Sequence, residues 1–555
     1  MRYNTYFLKL TWATILGCHM GLQGFGQQKD NESLVPKLDY PSTLLEQEEM
    51  LALDPLLIRF KASRRKLKKD RYYPIYHFVS PENRLNDPNG LCFWQGRWHL
   101  FYQGYPPEDS RQHWGHAVSN DLVHWKDLPY AIYPGPEYAS FSGSTWVENN
   151  RVIAMYHGTT LGNMIAIADD PLLLNWKKLS SNPVIPMEDA SNLSQPYKVF
   201  DPFIWKKGDF YYSLSGSKSS NGPEGKPVRA HYLFRSKDVL NWEYMHEFVV
   251  GDRFTKIGDD GACPYFWPIG DRYILLFFSH LSGAQYFLGD YDKQGDLFNI
   301  TAHGRFNFGT SRPSGIHAPS AFSDGKGGVI AIFNINKGKS TKGWDQMMSL
   351  PRQLSLTAED ELEMQPIEAI KSLRKDEVNI EHLVLPKDKE IILNAVQGNA
   401  IEIVAEINLR ASKMLEINIL RSPHKEEYTK ISFFKEKGDY KGLEFANGTE
   451  KAAQYKRARY SLISLETTYA SNASDVNYRV PETAPVLVDS DENLELRIFI
   501  DKSVVEVFVN NKQCVAARVY PNREDSIGVS FKAQGSESEL ISLKAYQMKD
   551  IYETP

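Results

Sequence analysis

Asp87 lies within Asn86-Asp87-Pro88-Asn89-Gly90, a cluster of turn formers. An aromatic run follows and ends in Trp98-His99-Leu100-Phe101-Tyr102-Gln103. That order reads as a tight bend feeding a β-strand. Pro88 has no amide hydrogen to continue a central ladder, and Gly90 permits a positive φ or close backbone packing. A carboxylate fixed on such a bend can be presented as a nucleophile. The competing reading is an Asx-turn, in which Asp87 bonds only its own backbone. Two further acidic stretches bear on the choice: Phe200-Asp201-Pro202 and Asp259-Asp260-Gly261-Ala262-Cys263-Pro264. Three carboxylates around one pocket are the minimum set for glycoside chemistry. One is a nucleophile or base, one a general acid, and one holds sugar hydroxyls as the oxocarbenium ion develops.

A repeat gives the reason to expect them together. Aromatic or aliphatic strands start at 98, 152, 210, 273 and 329, spaced by 54, 58, 63 and 56 residues. Each spacing has room for about four short strands, one propeller blade. The pattern predicts a five-bladed β-propeller over residues 72–365. Equivalent positions of all blades then converge on the central channel. The polar stretches preceding the five strands are Asn86-Asp87-Pro88, Phe141-Ser142-Gly143-Ser144, Phe200-Asp201-Pro202, Asp259 to Pro264, and Gly315-Ile316-His317-Ala318-Pro319.

The 555 residues allow two or more domains, and a hydrophobic content of 42% is ample for their cores. A net charge of −5 without a broad basic stretch argues against a nucleic-acid partner. Arg2 and Lys9 precede a short apolar run from Leu10 to Leu22, which reads as a secretory signal over residues 1–26, too short and interrupted to span a membrane. A lipoprotein signal with a lipidated Cys18 is the alternative, and plain export is preferred because the residues after Cys18 stay apolar. Cys92, Cys263 and Cys514 are isolated and read as buried free thiols. Residues 27–71 form an extension with a helix over Leu44 to Asp70, and Arg64 to Lys69 reads as its solvated basic face. His113 and His116 do not fall on a helix, so no metal site and no cofactor are expected. Residues 366–390 read as a charged linker with a short helix. Residues 391–555 read as a β-sandwich, clearest in LELRIFIDKSVVEVFV, Leu494 to Val509.

At these residues the chain resembles glycoside hydrolase family 32, the fructan hydrolases and invertases, over about residues 75–545. Asn86 to Gly90 resembles the family's nucleophile motif. Trp98 to Gln103, Trp114-Gly115-His116, Asp121-Leu122-Val123-His124-Trp125 and Phe141-Ser142-Gly143-Ser144 match the sequence after it. The resemblance implies an all-β fold, a five-bladed propeller followed by a C-terminal β-sandwich. It implies Asp87 as nucleophile and Asp201 as transition-state stabiliser. It places Asn86, Gln103, Trp114, Phe141 and Ser142 in the sugar pocket, with an oligo- or polysaccharide substrate.

Three departures stand out. Phe200 replaces the family's usual Arg before Asp201. Arg84 and Leu85 stand where a Trp is usual. Ala262 precedes Cys263, where the family carries its acid/base Glu. Asp260 or Asp259 is then the candidate acid/base, since adjacent carboxylates raise one another's proton affinity. His317 and His280 are candidates to enter the pocket from blades five and four in place of the lost Arg. The expectation is an exported retaining β-fructofuranosidase-like hydrolase with an altered acid/base. The alternatives are a non-catalytic glycan-binding protein and an inverting five-bladed enzyme on pentose polymers.

Overall fold

The computed structural model describes residues 31–187, 195–440, 458–476, 478–489 and 491–552. The expected signal segment and Cys18 lie outside them. Five sheets of four or five strands follow one another along the chain. Their inner strands are Leu85–Trp94, Ser140–Val147, Asp201–Lys207, Ala262–Ile269 and Ile316–Ser323. Each inner strand contacts those of the two neighbouring blades, and the fifth contacts the first, so the ring is closed.

The inner strands are nearly all buried because both faces meet protein, so they read as apolar runs rather than alternating ones. Their polar exceptions tie blade to blade. Tyr265, from blade four, accepts from Gly90 N (2.9 Å) and Ser320 Oγ (2.9 Å) and donates to Gly143 O (2.9 Å). One hydroxyl thus joins blades one, two, four and five. Tyr265→Phe is expected to lower stability by about 1–3 kcal/mol, because it leaves the Gly90 N–H and Gly143 carbonyl buried without that partner. A shift in denaturant midpoint at unchanged m-value measures it, and an unmoved midpoint would contradict this account.

The inner strands of blades one, two, four and five break register near their starts. The breaks fall between Leu85 and Pro88, Ser140 and Gly143, Ala262 and Tyr265, and Ile316 and Pro319. Bulges of this kind re-aim side chains at a barrel rim. Gly90 takes φ +49°, and a Cβ on it would lie 2.7 Å from Thr145 Cγ2. A Cβ on Gly143 would lie 2.1 Å from Met155 O, so the bulge in Phe-Ser-Gly-Ser admits only glycine there.

The N-terminal extension forms helices Leu44–Ala52 and Pro55–Leu67, the second capped by Asp54, which accepts from Leu56 N and Leu57 N. The basic run is not simply solvated. Arg64 is buried, forms a two-point ion pair with Asp127 (2.6 Å to each oxygen) and lies 3.8 Å over the Tyr552 ring. Lys68 pairs with Asp550 (2.6 Å).

The second domain is two six-stranded sheets packed around a core of its own. The expected linker at 366–390 is instead a 3₁₀ turn, Glu368–Leu373, and a twelve-residue strand, Arg374–Leu385. That strand is at a sheet edge, where charged side chains guard an exposed ladder; its Lys, Asp and Glu residues obscured the strand pattern. A hairpin of this domain, Leu494–Asp501 and Val504–Val509, grips both ends of the propeller. Asp501 accepts from the backbone N–H groups of Ile75 (2.8 Å), Tyr76 (2.9 Å) and His77 (2.9 Å). Glu506 accepts from Leu350 N (2.7 Å) and Arg352 (2.8 Å). His77 lies between the two carboxylates, at 2.9 Å from Asp501 and 3.2 Å from Glu506.

Candidate active site

Asp87, on the bulged start of the first inner strand, is 6% exposed, and its two oxygens have different surroundings. Oδ2 accepts from Ser142 Oγ at 2.8 Å and Gln103 Nε2 at 3.2 Å, and Cys263 Sγ lies 3.7 Å away. Oδ1 is buried without a hydrogen-bond partner; His317 Nδ1 is 3.7 Å from it, beyond direct hydrogen-bond reach. This is not an Asx-turn, because the side chain bonds Gln103 of the paired strand and Ser142 of the next blade rather than its own backbone. Oδ2 anchors the group and leaves Oδ1 lone pairs free to attack.

The anchors are themselves held. Gln103 donates to Ser142 Oγ (2.7 Å) and accepts from Asn86 Nδ2 (3.0 Å). Asn86 Oδ1 faces Asn334 Nδ2 at 3.3 Å, and Asn334 donates to Gln346 at 2.8 Å. Asn334 and Gln346 were not anticipated. The available signal was a lone Asn inside the aliphatic run Val329 to Ile335.

Asp201, on the unbulged blade-three strand, faces Asp87 across Cys263. Its Oδ2 accepts from Cys263 N at 3.2 Å and lies 3.4 Å from Cys263 Sγ. Cys263 is buried, as its isolation suggested, yet it stands between the two carboxylates. It does so at φ +47°, a conformation costly for a residue with a Cβ. Burial, with the Asp201 and Asp87 charges adding to it, holds the Cys263 thiol far above its usual range, so it is a weak donor and not a nucleophile.

Burial pushes Asp201 up to about 7, and the neighbouring Asp87 charge adds to the shift. Burial acts on Asp87 in the same direction, but His317 and Ser142 outweigh it and Asp87 lies below the usual carboxylate range. His317 is itself pushed down by burial. Its two ring nitrogens have no hydrogen-bond partner, and its ring lies 4.1 Å from that of Phe278. Two carboxylates driven apart in proton affinity can divide the tasks of ionised nucleophile and proton-sharing stabiliser.

The structure separates the remaining expected residues. Half-buried Phe141 lies 6.2 Å from His157, whose ring is 5.0 Å from Phe200, so the residue replacing the usual Arg joins an aromatic rim. Trp114 has no exposed surface and donates its indole N–H to Phe141 O (2.8 Å); it supports the rim instead of meeting a ligand itself. Asp259 is occupied by Ser282 Oγ (2.6 Å) and Lys256 N (3.3 Å), and no hydrogen bond or ion pair among the described residues links it to Asp87 or Asp201. Asp260 accepts from His280 Nδ1 at 2.9 Å and from His280 N at 3.1 Å, with Lys218 Nζ at 3.5 Å. Burial raises Asp260, but His280 and Lys218 outweigh it and lower the carboxyl, contrary to the mutual raising expected of the adjacent pair. Arg84 sits 4.1 Å over the Tyr105 ring. His113 and His116 are buried in a strand, bonded to Ser33 (2.6 Å) and His99 (2.9 Å), and no cluster of three metal-ligating side chains occurs among the described residues.

The Glycosyl hydrolases family 32 N-terminal domain matches residues 77–366 and its C-terminal domain matches residues 369–547. A levanase of Bacillus subtilis is 26% identical over 525 residues, covering 87% of this chain and 71% of the relative. A sucrose-6-phosphate hydrolase of Zymomonas mobilis is 25% identical, covering 88% and 95%. The crystal structure of fructan 1-exohydrolase IIa from Cichorium intybus superposes with a TM-score of 0.73 at 21% identity, covering 87% of this chain and 98% of that one, a likeness of fold. With matches to both domains over almost the whole propeller and sandwich, the chain belongs to glycosyl hydrolase family 32 and is a glycosidase of the β-fructofuranosidase type.

Proposed function

We propose that the protein hydrolyses β-fructofuranosidic bonds of fructose-containing glycans by a retaining double displacement. Asp87 Oδ1 attacks the anomeric carbon, Asp201 steadies the charge that develops on the sugar, and a group other than the family's Glu handles the proton. The observation that carries the reading is the asymmetry of Asp87. One oxygen is clamped by Ser142 and Gln103, and the other is buried, ionised and without a hydrogen-bond partner. Such an oxygen is desolvated and pre-aimed, which favours attack over mere hydrogen bonding. The unpartnered nitrogens of His317 and the amides of Asn86 and Gln103 would take the sugar hydroxyls.

The test is product release from levan, inulin, sucrose and p-nitrophenyl β-fructofuranoside, followed by polarimetry of the methanolysis product. Turnover with a β-configured methyl fructoside is expected. An inverted product would replace the double displacement by single-displacement chemistry. Glycan binding without turnover would make this a binding protein that kept the fold.

Export is part of the same proposal. Its support is the basic-then-apolar pattern of Arg2, Lys9 and Leu10 to Leu22; no described helix is long and apolar enough to cross a membrane. Immunodetection confined to the cytosol would overturn export.

A further inference from the structure

We propose that His280, oriented by Asp260, is the general acid and base that replaces the missing Glu. The assignment rests on the retaining reading above and adds to it the identity of the proton carrier.

The argument begins with the vacated position. Ala262 pairs across the strands with Phe278, so the two side chains share one face of the fourth blade. His280 opens the turn directly after this strand, Arg272–Ser279, and its ring lies against Phe278. A proton donor missing at 262 is thus replaced from the turn that follows the neighbouring strand of the same blade. Ala262 packs with Cys263, Phe278, Ala318 and Phe200.

The His280 ring is placed rather than loose. It lies 4.8 Å from Phe278 and 6.0 Å, edge to face, from His317, the residue beside Asp87 Oδ1. Nδ1 is fixed to Asp260 at 2.9 Å, which leaves Nε2 as the working nitrogen, and no described residue takes Nε2 as a hydrogen-bond partner. The side chain is 46% exposed, so a leaving group and an incoming water can reach it. Asp260, by contrast, has both oxygens committed to His280 and is 6% exposed. A buried carboxylate bonded to a more exposed imidazole is the arrangement that orients a general base and steadies its protonated form.

The charges facing His280 suit the task. Asp260 on its own blade, Asp201 on blade three and Asp87 on blade one favour the imidazolium, while Lys218 on blade three and His317 on blade five oppose it. The hydrogen bond to Asp260 is the largest influence, burial opposes it, and the ring lies above the ordinary imidazole value.

In the first step Asp87 Oδ1 bonds the anomeric carbon, the bond to the leaving oxygen breaks, and the Nε2 proton moves onto that oxygen. In the second, Nε2 takes a proton from water, the water oxygen bonds the anomeric carbon, and the Asp87 ester bond breaks. Acid, base and nucleophile are all restored.

The test compares wild type with His280→Gln and Asp260→Asn on sucrose, levan and p-nitrophenyl β-fructofuranoside. For His280→Gln, kcat/KM on sucrose and levan should fall about 10²–10⁴-fold. Release of p-nitrophenol, a leaving group that needs no proton, should fall far less and show a burst. Azide should restore turnover by attacking the ester without a base. The alkaline limb of the kcat/KM profile should vanish in His280→Gln and shift to lower pH in Asp260→Asn, the signature of a positioning residue. Equal losses on all substrates in a variant that melts like wild type, or a retained alkaline limb, would overturn the assignment; His280→Asn, read the same way, serves where His280→Gln melts lower. Wild type inactive on every fructoside would overturn the glycosidase reading itself, whereas active wild type with unaffected His280→Gln would overturn only the proton carrier.

Discussion

Asp87→Ala is expected to lower kcat/KM at least about 10³-fold on every fructoside, activated or not. This uniformity separates it from the His280 variant. Loss of a proton donor is masked by a good leaving group, but loss of the nucleophile is not. The structure also gives an expectation for the neighbour. Asp201 is pushed up to about 7 first by burial and then by the Asp87 charge, so removing Asp87 should bring the Asp201 carboxyl down. Carbon-13 NMR titration of labelled aspartate would follow that carboxyl directly. In wild type, rapid acid quench during turnover should leave a hexosyl adduct on the Asp87 peptide, detectable by mass spectrometry. Retained turnover in Asp87→Ala, or an adduct on another carboxylate, would refute the assignment of nucleophile.

Much of this site could be read from the chain because the repeat makes equivalent positions converge. Asp87, Ser142, Asp201 and His317 come from four blades, and the sequence placed each just ahead of an aromatic or aliphatic strand. The clamp on Asp87 takes Gln103 from the paired strand of its own blade and Ser142 from the inner strand of the next. Gln103 was legible through motif, whereas Asn334, which holds Asn86, was marked only as a lone Asn in an aliphatic run, and Gln346, which holds Asn334, by no local pattern. Trp114 was legible as part of the site but not as fully enclosed, since burial depends on how Tyr156 and Phe101 pack around it.

The two acidic neighbours show the same limit more sharply. Adjacent residues on a strand or tight turn need not share surroundings. Asp259 turns to Ser282 and Asp260 to His280, so His280 and Lys218, not the adjacent Asp259, set the direction of the Asp260 carboxyl. The strand Arg374–Leu385 read as linker for a related reason. Its charges suit an edge, and a pattern rule that expects clean alternation of apolar and polar residues misses edge strands. Arg64, counted as one of a solvated row, shows that a basic run on a helix can still turn one member inward when an Asp waits there.

The largest stability effect is expected where the two domains meet. His77, Arg352, Asp501 and Glu506 are all fully buried, two cations facing two anions. Burial alone would lower His77, but its hydrogen bonds to Asp501 and Glu506 prevail and push it up to about 9, from an ordinary 6.5. A group whose folded value is raised contributes stability that is complete below the unfolded value and is lost as pH passes the folded one. His77 therefore supplies about 3 kcal/mol below pH ~6.5, declining toward zero by pH ~9. Glu506→Ala removes the anion shared by His77 and Arg352 and strips the Leu350 N–H of its acceptor. A buried Arg left unpaired costs about 3–5 kcal/mol. Thermal melts should show Glu506→Ala far less stable than wild type at pH 6 and the gap narrowing toward pH 9, because wild type loses the His77 contribution over that range. Glu506→Gln keeps the shape and one acceptor but not the charge, so it should fall between them. A gap that stays constant with pH would mean that His77 is neutral in the folded protein and that Glu506 acts through Arg352 and Leu350 alone. The same hairpin residues hold Tyr76 and His77 before the first blade and Leu350 and Arg352 in the fifth.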